Sequence, residues 1–223
     1  MRKWGILVSI FYALILLGLI VPGFALLAER FSGWANYFQT LREAYGAGVV
    51  WVPVGIFISS QVLLLFLSVD TSQRRLKPRA HVLVSCSVAA VLTALLTAAA
   101  IWSIGFAAGG TAFGRTYFPR DATILGFCGA LWLLWAILFY LYLRDSSAAV
   151  TWLISWLLKG SVLELLIAVP CHVIVRRRAE CSAPIVTSFG IATGVAIMLL
   201  SFGPSVLFLY KKRLDAYAPP PSG

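Results

Sequence analysis

The sequence predicts an all-α integral membrane protein, a bundle of about six transmembrane helices with a short interfacial helix between the first two. Hydrophobic residues make up 61% of the 223 positions and charged residues only 12%, and the mean hydropathy is +0.91. A soluble domain cannot bury that much apolar surface. The apolar residues also fall into long runs, and a helix needs about 20 of them to cross a hydrocarbon core of ~30 Å.

Six runs have this length, and we expect them to form a single polytopic transmembrane domain over residues 1–210. The predicted spans are about 4–28, 48–69, 81–106, 122–143, 149–175 and 185–210. Residues 211–223 are expected to form a basic end and a disordered proline-rich tail.

The first span follows Arg2 and Lys3. Its apolar run exceeds the core of a signal peptide, so we interpret it as a retained helix with a kink at Pro22-Gly23. In residues 29–46 aromatic side chains recur every three or four positions, which is typical of an amphipathic helix in the membrane interface. Ser32 is the expected N-cap of that helix.

Two of the later spans carry helix-packing signals. Ala90, Ala94 and Ala98 place small side chains on one face of the third span, and Gly190 and Gly194 form a GxxxG motif in the sixth. Small residues spaced by four let helix backbones approach closely, so we expect these two faces to meet.

The connections also have recognisable patterns. The glycine-rich residues 107–114 are predicted to form a loop, without the GKS/T sequence of a phosphate-binding loop. Residues 144–147 predict a tight turn, which makes the fourth and fifth spans an antiparallel hairpin. Gly203-Pro204 predicts a kink in the sixth span.

The net charge of +10 comes from basic residues at the ends of the apolar runs. There they meet anionic lipid headgroups, so the bilayer is the expected partner and nucleic acid is not. With six spans and the N-terminus inside, 10 Lys and Arg fall on the inner side and 7 on the outer side. We therefore expect both termini to be cytoplasmic, in a bacterial-type inner (plasma) membrane.

The fifth span differs from the others because it carries Lys159, Glu164 and His172 within an apolar run. A charged side chain at bilayer depth costs at least ~2.5–3.5 kcal/mol, so it persists mainly where something compensates it. At 100° per residue, Ser161, Glu164, Ala168 and Cys171 share one stripe. Lys159 lies on another face, and its long stem can reach the cytoplasmic headgroups.

Glu164 lies near the bilayer midplane, and its stem is too short to reach either interface. Its carboxyl must therefore be protonated, paired with another helix, or in contact with water. Gln61 is a candidate neutral partner at similar depth. Two interpretations stay open: a structural cross-helix hydrogen bond, or the handling of a proton or cation.

The outer end of the fifth span offers a second candidate site. Cys171, His172 and Cys181 provide ligands that suit copper or another soft metal ion, although their spacing matches no established pattern, and otherwise no cofactor is expected. Cys171 and Cys181 also make the one plausible disulfide pair. Three arginines follow at the same end, Arg176, Arg177 and Arg178. Their guanidinium groups could bind lipid headgroups, a dedicated anionic ligand or a partner protein.

The sequence has no nucleophile–base pair, acidic metal cluster or phosphate loop, so an enzyme is not favoured. We expect a small non-enzymatic membrane protein, either an accessory subunit or a minor transporter, with Glu164 as its central polar group. Other membrane subunits are further candidate partners. The alternative is a membrane redox or metal-binding protein that uses Cys171, His172 and Cys181.

Overall fold

The computed structural model describes residues 2–28, 32–71, 79–144, 149–178 and 183–217. These residues are helical apart from short connections, and no strand occurs among them. The helices are α1 Arg2–Ile15, a π-helical segment Leu16–Ile20, α2 Val21–Ala28, α3 Trp34–Gly46, α4 Gly48–Thr71, α5 Arg79–Tyr117, α6 Asp121–Leu143, α7 Ala149–Arg177 and α8 Ala183–Tyr217.

Several of these helices are apolar and long enough to cross a membrane, which confirms the predicted class. Five qualify on their own, and α3 with α4 makes a sixth if that bent pair is one span. The five are Gly5–Ala28, Val82–Tyr117, Ala122–Leu143, Ala149–Arg177 and Ala183–Gly203.

The first span is irregular one turn earlier than predicted. The π-helical segment Leu16–Ile20 precedes Pro22, and the Val21 N–H donates to the carbonyl of Leu16, five residues back. Proline has no N–H to offer the carbonyl four residues before it, and a wider turn is one way to accommodate that loss.

Helix α3 folds back along the first span. The Tyr37 hydroxyl donates to the Pro22 carbonyl at 3.3 Å, and the Tyr45 hydroxyl donates to the carbonyl of Leu17, the middle of Gly5–Ala28. After Ala47, which has extended backbone angles, the chain turns by 66° into α4. Thus α3 points toward the middle of the first span.

The predicted N-cap of α3 was wrong. Gly33, with φ 141°, occupies the cap position, and no side chain caps the helix. The Ser32 hydroxyl instead accepts a hydrogen bond of 2.8 Å from the Asn36 amide. A glycine adopts this positive φ without the steric cost that a serine would meet.

The predicted loop at 107–114 is reduced to a break at one residue, because helical turns lie on both sides of it and continue to Tyr117. The helix is interrupted within this stretch at Gly110, where φ is 59° and ψ is −150°. The following turn places Phe113 against Gly105 and 5.8 Å from the ring of Phe106. The rings of Phe106 and Phe113 therefore pack against the backbone of the glycine-rich stretch.

Helices α5, α7 and α8 make the most extensive contacts and form the centre of the bundle. Buried aliphatic residues from all three, such as Leu92, Leu157 and Leu200, belong to one core. Only 6% of the α6 span is buried, so most of that helix faces outward. At the other end of the chain, α8 continues past Pro204 to Tyr217, beyond the predicted end of the sixth span at 210 and through the predicted basic end. The predicted proline-rich tail falls on residues 218–223, which lie outside the described part.

Candidate intramembrane carboxyl site

One face of α7 is buried along its whole length. Its buried residues are Ala149, Val150, Leu153, Leu157, Ser161, Glu164, Ala168, His172 and Val175. The stripe predicted from the sequence included Ser161, Glu164 and Ala168 and ended in Cys171, but His172 is the buried residue at that turn. The reason is α8, which presents Thr187 to His172.

Glu164 is the central polar group of this face. It lies next to the midpoint of the 29-residue α7, and its side chain is 2% exposed. Neither carboxyl oxygen has a hydrogen-bond partner among the described residues. Buried polar groups are nearly always hydrogen-bonded, and a bare carboxyl in a low-dielectric interior is costly. Burying the Glu164 carboxyl in this way is therefore energetically unfavourable.

The carboxyl lies against the GxxxG motif of α8. A Cβ built on Gly194 would be 2.1 Å from Glu164 Oε2, and one built on Gly190 would be 3.1 Å from Oε1. Since a Cα–Cβ bond measures about 1.5 Å, Oε2 lies within about 3.6 Å of the Gly194 Cα. That distance suits a weak Cα–H···O contact, so the glycines make room for the acid and give it only weak donors.

The third wall is α5, which contributes Ser103. The Ser103 Oγ lies 3.0 Å from the Cβ position of Gly190, beside Oε1 of Glu164. Sequence reasoning did not single out Ser103, because a lone serine in a helix rich in Ala, Ser and Thr carries no spacing signal. The predicted contact of Gly190 and Gly194 with the alanine face of α5 stays a prediction. The nearest neighbours of the two glycines are Glu164, Leu165 and Ala168 of α7, along with Ser103 of α5.

Gln61 does not pair with Glu164. Its amide nitrogen lies 2.7 Å from the Cβ position of Gly203, and neither its nitrogen nor its oxygen has a hydrogen-bond partner among the described residues. Gly203 is nine residues beyond Gly194, about 13 Å along a helix. The two side chains therefore occupy different depths in the bundle.

Lys159 and Glu164 line the same cavity between α5, α6 and α7, which has a volume of about 230 Å³. The rest of its wall is largely apolar and aromatic, and the ring centroids of Trp135 and Trp156 are 6.2 Å apart. Lys159 itself is exposed, and it forms no ion pair with Glu164, whose oxygens have no partner within the described ranges. The cavity nonetheless connects the surroundings of a cation with those of the carboxyl.

The C-terminal end of α7 is held by polar contacts. His172 Nδ1 lies 2.8 Å from the Thr187 hydroxyl, which is itself 3.2 Å from the carbonyl of Pro184. A hydroxyl that donates to that carbonyl accepts from His172, which then carries its proton on Nδ1. This bond ties α7 to α8 eight residues beyond Glu164.

The three arginines at the end of α7 differ in their contacts and exposure. Arg176 donates to the carbonyl of Leu26 at 3.4 Å and so joins α7 to the end of the first span. Arg177 and Arg178 are exposed. Two guanidinium groups are therefore available to headgroups or to an anionic ligand.

The soft-metal alternative gains no further ligand in the described part of the chain. Within the described ranges, no group of three or more His, Cys, Asp or Glu side chains is placed to hold a metal ion. Cys171 is a free thiol that packs with Ala107, Val175 and Ala183, while Cys181 lies outside the described residues. Copper binding by Cys171, His172 and Cys181 stays a prediction.

The chain matches no protein-family model, and comparisons with curated proteins and with solved structures found no match either. Function must therefore be argued from the site. The arrangement provides a carboxyl near the middle of α7, beside a cavity and without strong donors among the described residues. Such a group can take up a proton or a small cation with little rearrangement, because its oxygens are not already committed to other side chains.

Proposed function

We propose that this chain is a minor transporter of the multi-pass type, in which Glu164 binds and releases a proton or a small cation inside the bundle. The observation that carries the proposal concerns the Glu164 carboxyl, which is 2% exposed near the middle of α7. Neither of its oxygens has a hydrogen-bond partner in the part of the chain that the structure describes. A purely structural carboxyl would be expected to bond across helices. An exchanging one needs its oxygens available.

The surroundings of Glu164 support this function in two ways. The cavity shared with Lys159 offers an approach from the inner half of the bundle, since Lys159 lies five residues earlier on α7. The broken pair α3 and α4 supplies a second feature common in transporters, in which discontinuous helices meet near the membrane centre.

The proposal also includes the orientation of the chain in the membrane. With α3 and α4 counted as one crossing, the helices cross six times, which puts both termini on one side. The excess of Lys and Arg on that side makes it the cytoplasmic side of a bacterial-type plasma membrane. Arg177 and Arg178 then face the opposite leaflet.

An accessory subunit is the second candidate, and α6 is the observation that favours it. Only 6% of that span is buried, and its outward residues include Leu133, Leu134 and Ile137. In this alternative α6 packs on a larger membrane partner.

Reconstitution into proteoliposomes tests the transporter proposal. A proton gradient or an imposed potential should drive dye-reported proton or cation flux through the wild-type protein, and Glu164→Gln should abolish it while folding stays normal. Glu43→Gln is the matched control, because Glu43 is an exposed glutamate on α3. Equal flux for Glu164→Gln and wild type, or flux no greater than in empty vesicles for wild type, overturns the proposal.

A further inference from the structure

Lys159 is an exposed cation far from either end of α7. It lies four residues before the midpoint of the helix, about 6 Å along the axis. It makes no hydrogen bond and no ion pair with the residues that the structure describes. A charged side chain inside a membrane persists mainly where something compensates it. The described part of the chain supplies no anion to Lys159, so an anionic ligand is a natural partner.

The cavity beside Lys159 has the size of a small ligand. Its volume is about 230 Å³, and along α7 it extends from Lys159 past Leu163 to Ile167, about 12 Å. Pockets that hold drug-sized ligands measure ~300–1,000 Å³. The cavity therefore suits one slender body and not the two acyl chains of a phospholipid.

The polar groups around the cavity favour an anion over a cation. Lys159 is the one cationic side chain among the described residues of the wall. The hydroxyls of Thr93 and Thr97 donate to carbonyls of their own helix. Glu164 also borders the cavity, but its carboxyl oxygens are buried against the GxxxG motif of α8. A ligand in the cavity therefore meets a positive charge, while the carboxyl oxygens of Glu164 face away from it.

We propose that the cavity binds a medium-chain monocarboxylate, with the carboxylate on Lys159 Nζ and the apolar body along Leu163 and Ile167. An extended chain of eight carbon atoms measures about 9 Å, which is shorter than the cavity. One carboxylate balances one ammonium group, whereas a dianion would leave a charge against an apolar wall. Trp135 and Trp156 add flat apolar surface for the body of the ligand.

The inference deepens the proposed function by naming a substrate class, and only transport of the ligand, not its binding, rests on that function. A carboxylate on Lys159 and a proton on Glu164 together add no net charge to the bundle. Such a pair crosses a low-dielectric interior at less cost than either ion alone. Lys159 would also repel a metal cation from the cavity, so in this arrangement Glu164 carries a proton.

Quenching of tryptophan fluorescence by 8-bromooctanoate tests binding without any transport assay, since bromine quenches an indole that it contacts. The protein in phosphatidylcholine nanodiscs should show saturable quenching. The uncharged 8-bromooctanol has the same body and should quench only in proportion to its partition into the bilayer. Lys159→Gln should weaken binding of the carboxylate about tenfold or more, because a hydrogen bond to a charged group is lost. Lys159→Arg keeps the charge and should keep most of the affinity.

A second variant tests the location of the ligand. Ala100→Leu keeps Lys159 and fills part of the cavity, so it should also weaken binding. Two controls should bind as the wild type does: Ala130→Leu, at an exposed position of α6 outside the wall, and Arg42→Gln, which removes an exposed cation from α3.

Two results would overturn the proposal. Equal quenching by the acid and the alcohol would mean partition into the bilayer, and unchanged binding in either Lys159→Gln or Ala100→Leu would place the carboxylate elsewhere. Lys159 would then extend toward the headgroups. Neither result alters the flux experiment on Glu164→Gln, and absence of flux would leave the binding result standing, so the two proposals fail separately.

Discussion

Gly194 of α8 lies directly against the carboxyl of Glu164 on α7, so closely that a Cβ at position 194 would come within 2.1 Å of Oε2. Helix α7, which carries Glu164, therefore fits against α8 at Gly194. A GxxxG motif that would ordinarily bring two backbones together here makes space for a polar side chain.

Gly194→Ala is expected to destabilise the protein by about 1–3 kcal/mol, the usual cost of overpacking a filled interior. The free energy of unfolding in detergent measures it. Adding Glu164→Ala removes the clashing oxygen, so the double variant should be more stable than the two single effects predict. Strict additivity would mean that the methyl group and the carboxyl do not meet; Gly129→Ala, at an open position, controls for the added methyl.

Glu164→Gln is expected to fold with near-normal yield and melting temperature, since the carboxyl makes no hydrogen bond or ion pair with any residue that the structure describes. A loss on the order of 3–5 kcal/mol would instead indicate a buried ion pair. Glu164→Leu, tested beside it, separates shape from polarity. If leucine is silent in both folding and flux, the polar group is dispensable.

Thr187→Val removes the partner of His172 and should lower stability by about 0.6 kcal/mol, and at most about 1.7, as measured for other hydrogen bonds between membrane helices. Thermal unfolding is the measurement. Thr97→Val is the control, because that hydroxyl bonds at 2.9 Å to Thr93 of its own helix. An equal effect from both variants would show that the α7–α8 hydrogen bond adds nothing specific.

Gly110→Ala should cost about 1–3 kcal/mol, because φ 59° with ψ −150° is a conformation that L side chains strongly disfavour. Ala108→Gly, two residues earlier in the same helix, changes propensity without touching the break and should cost at most about 1 kcal/mol. A neutral Gly110→Ala would mean that α5 passes this point without the interruption.

Topology is tested by labelling single cysteines with an impermeant reagent. A cysteine replacing Arg178 should react from the outside and one replacing Arg75 only from the inside, since six crossings place these connections on opposite sides. Labelling of both from the same side contradicts the six-crossing arrangement.

Apolar composition alone was enough to predict most of the spans. The fourth agrees with the structure over 122–143, because a long apolar run between charged ends has few other options in a membrane. The structure differs from the predicted loop at 107–114 because only Gly110 leaves the helical conformation, with the rings of Phe106 and Phe113 packed together from the two sides of that break.

The acid at the candidate site could be predicted from the sequence, but its neighbours could not. Glu164 was identifiable because a charged residue in an apolar run is costly wherever it lies. Its surroundings were not, since Ser103 and Gly190 lie far from it in sequence and neither is unusual locally. Gln61 was chosen as a partner from its position within an apolar run, but it packs at Gly203, further along α8 than the glycines that meet Glu164.

The bend between α3 and α4 is spanned by hydrogen bonds. The Ala47 N–H still donates to the carbonyl of Glu43 at 2.9 Å, and beyond the bend the Trp51 indole donates at 2.9 Å to the carbonyl of Tyr45. The Tyr45 hydroxyl in turn donates to the carbonyl of Leu17 in the first span. One residue at the end of α3 therefore couples the position of α4 to that of the first span.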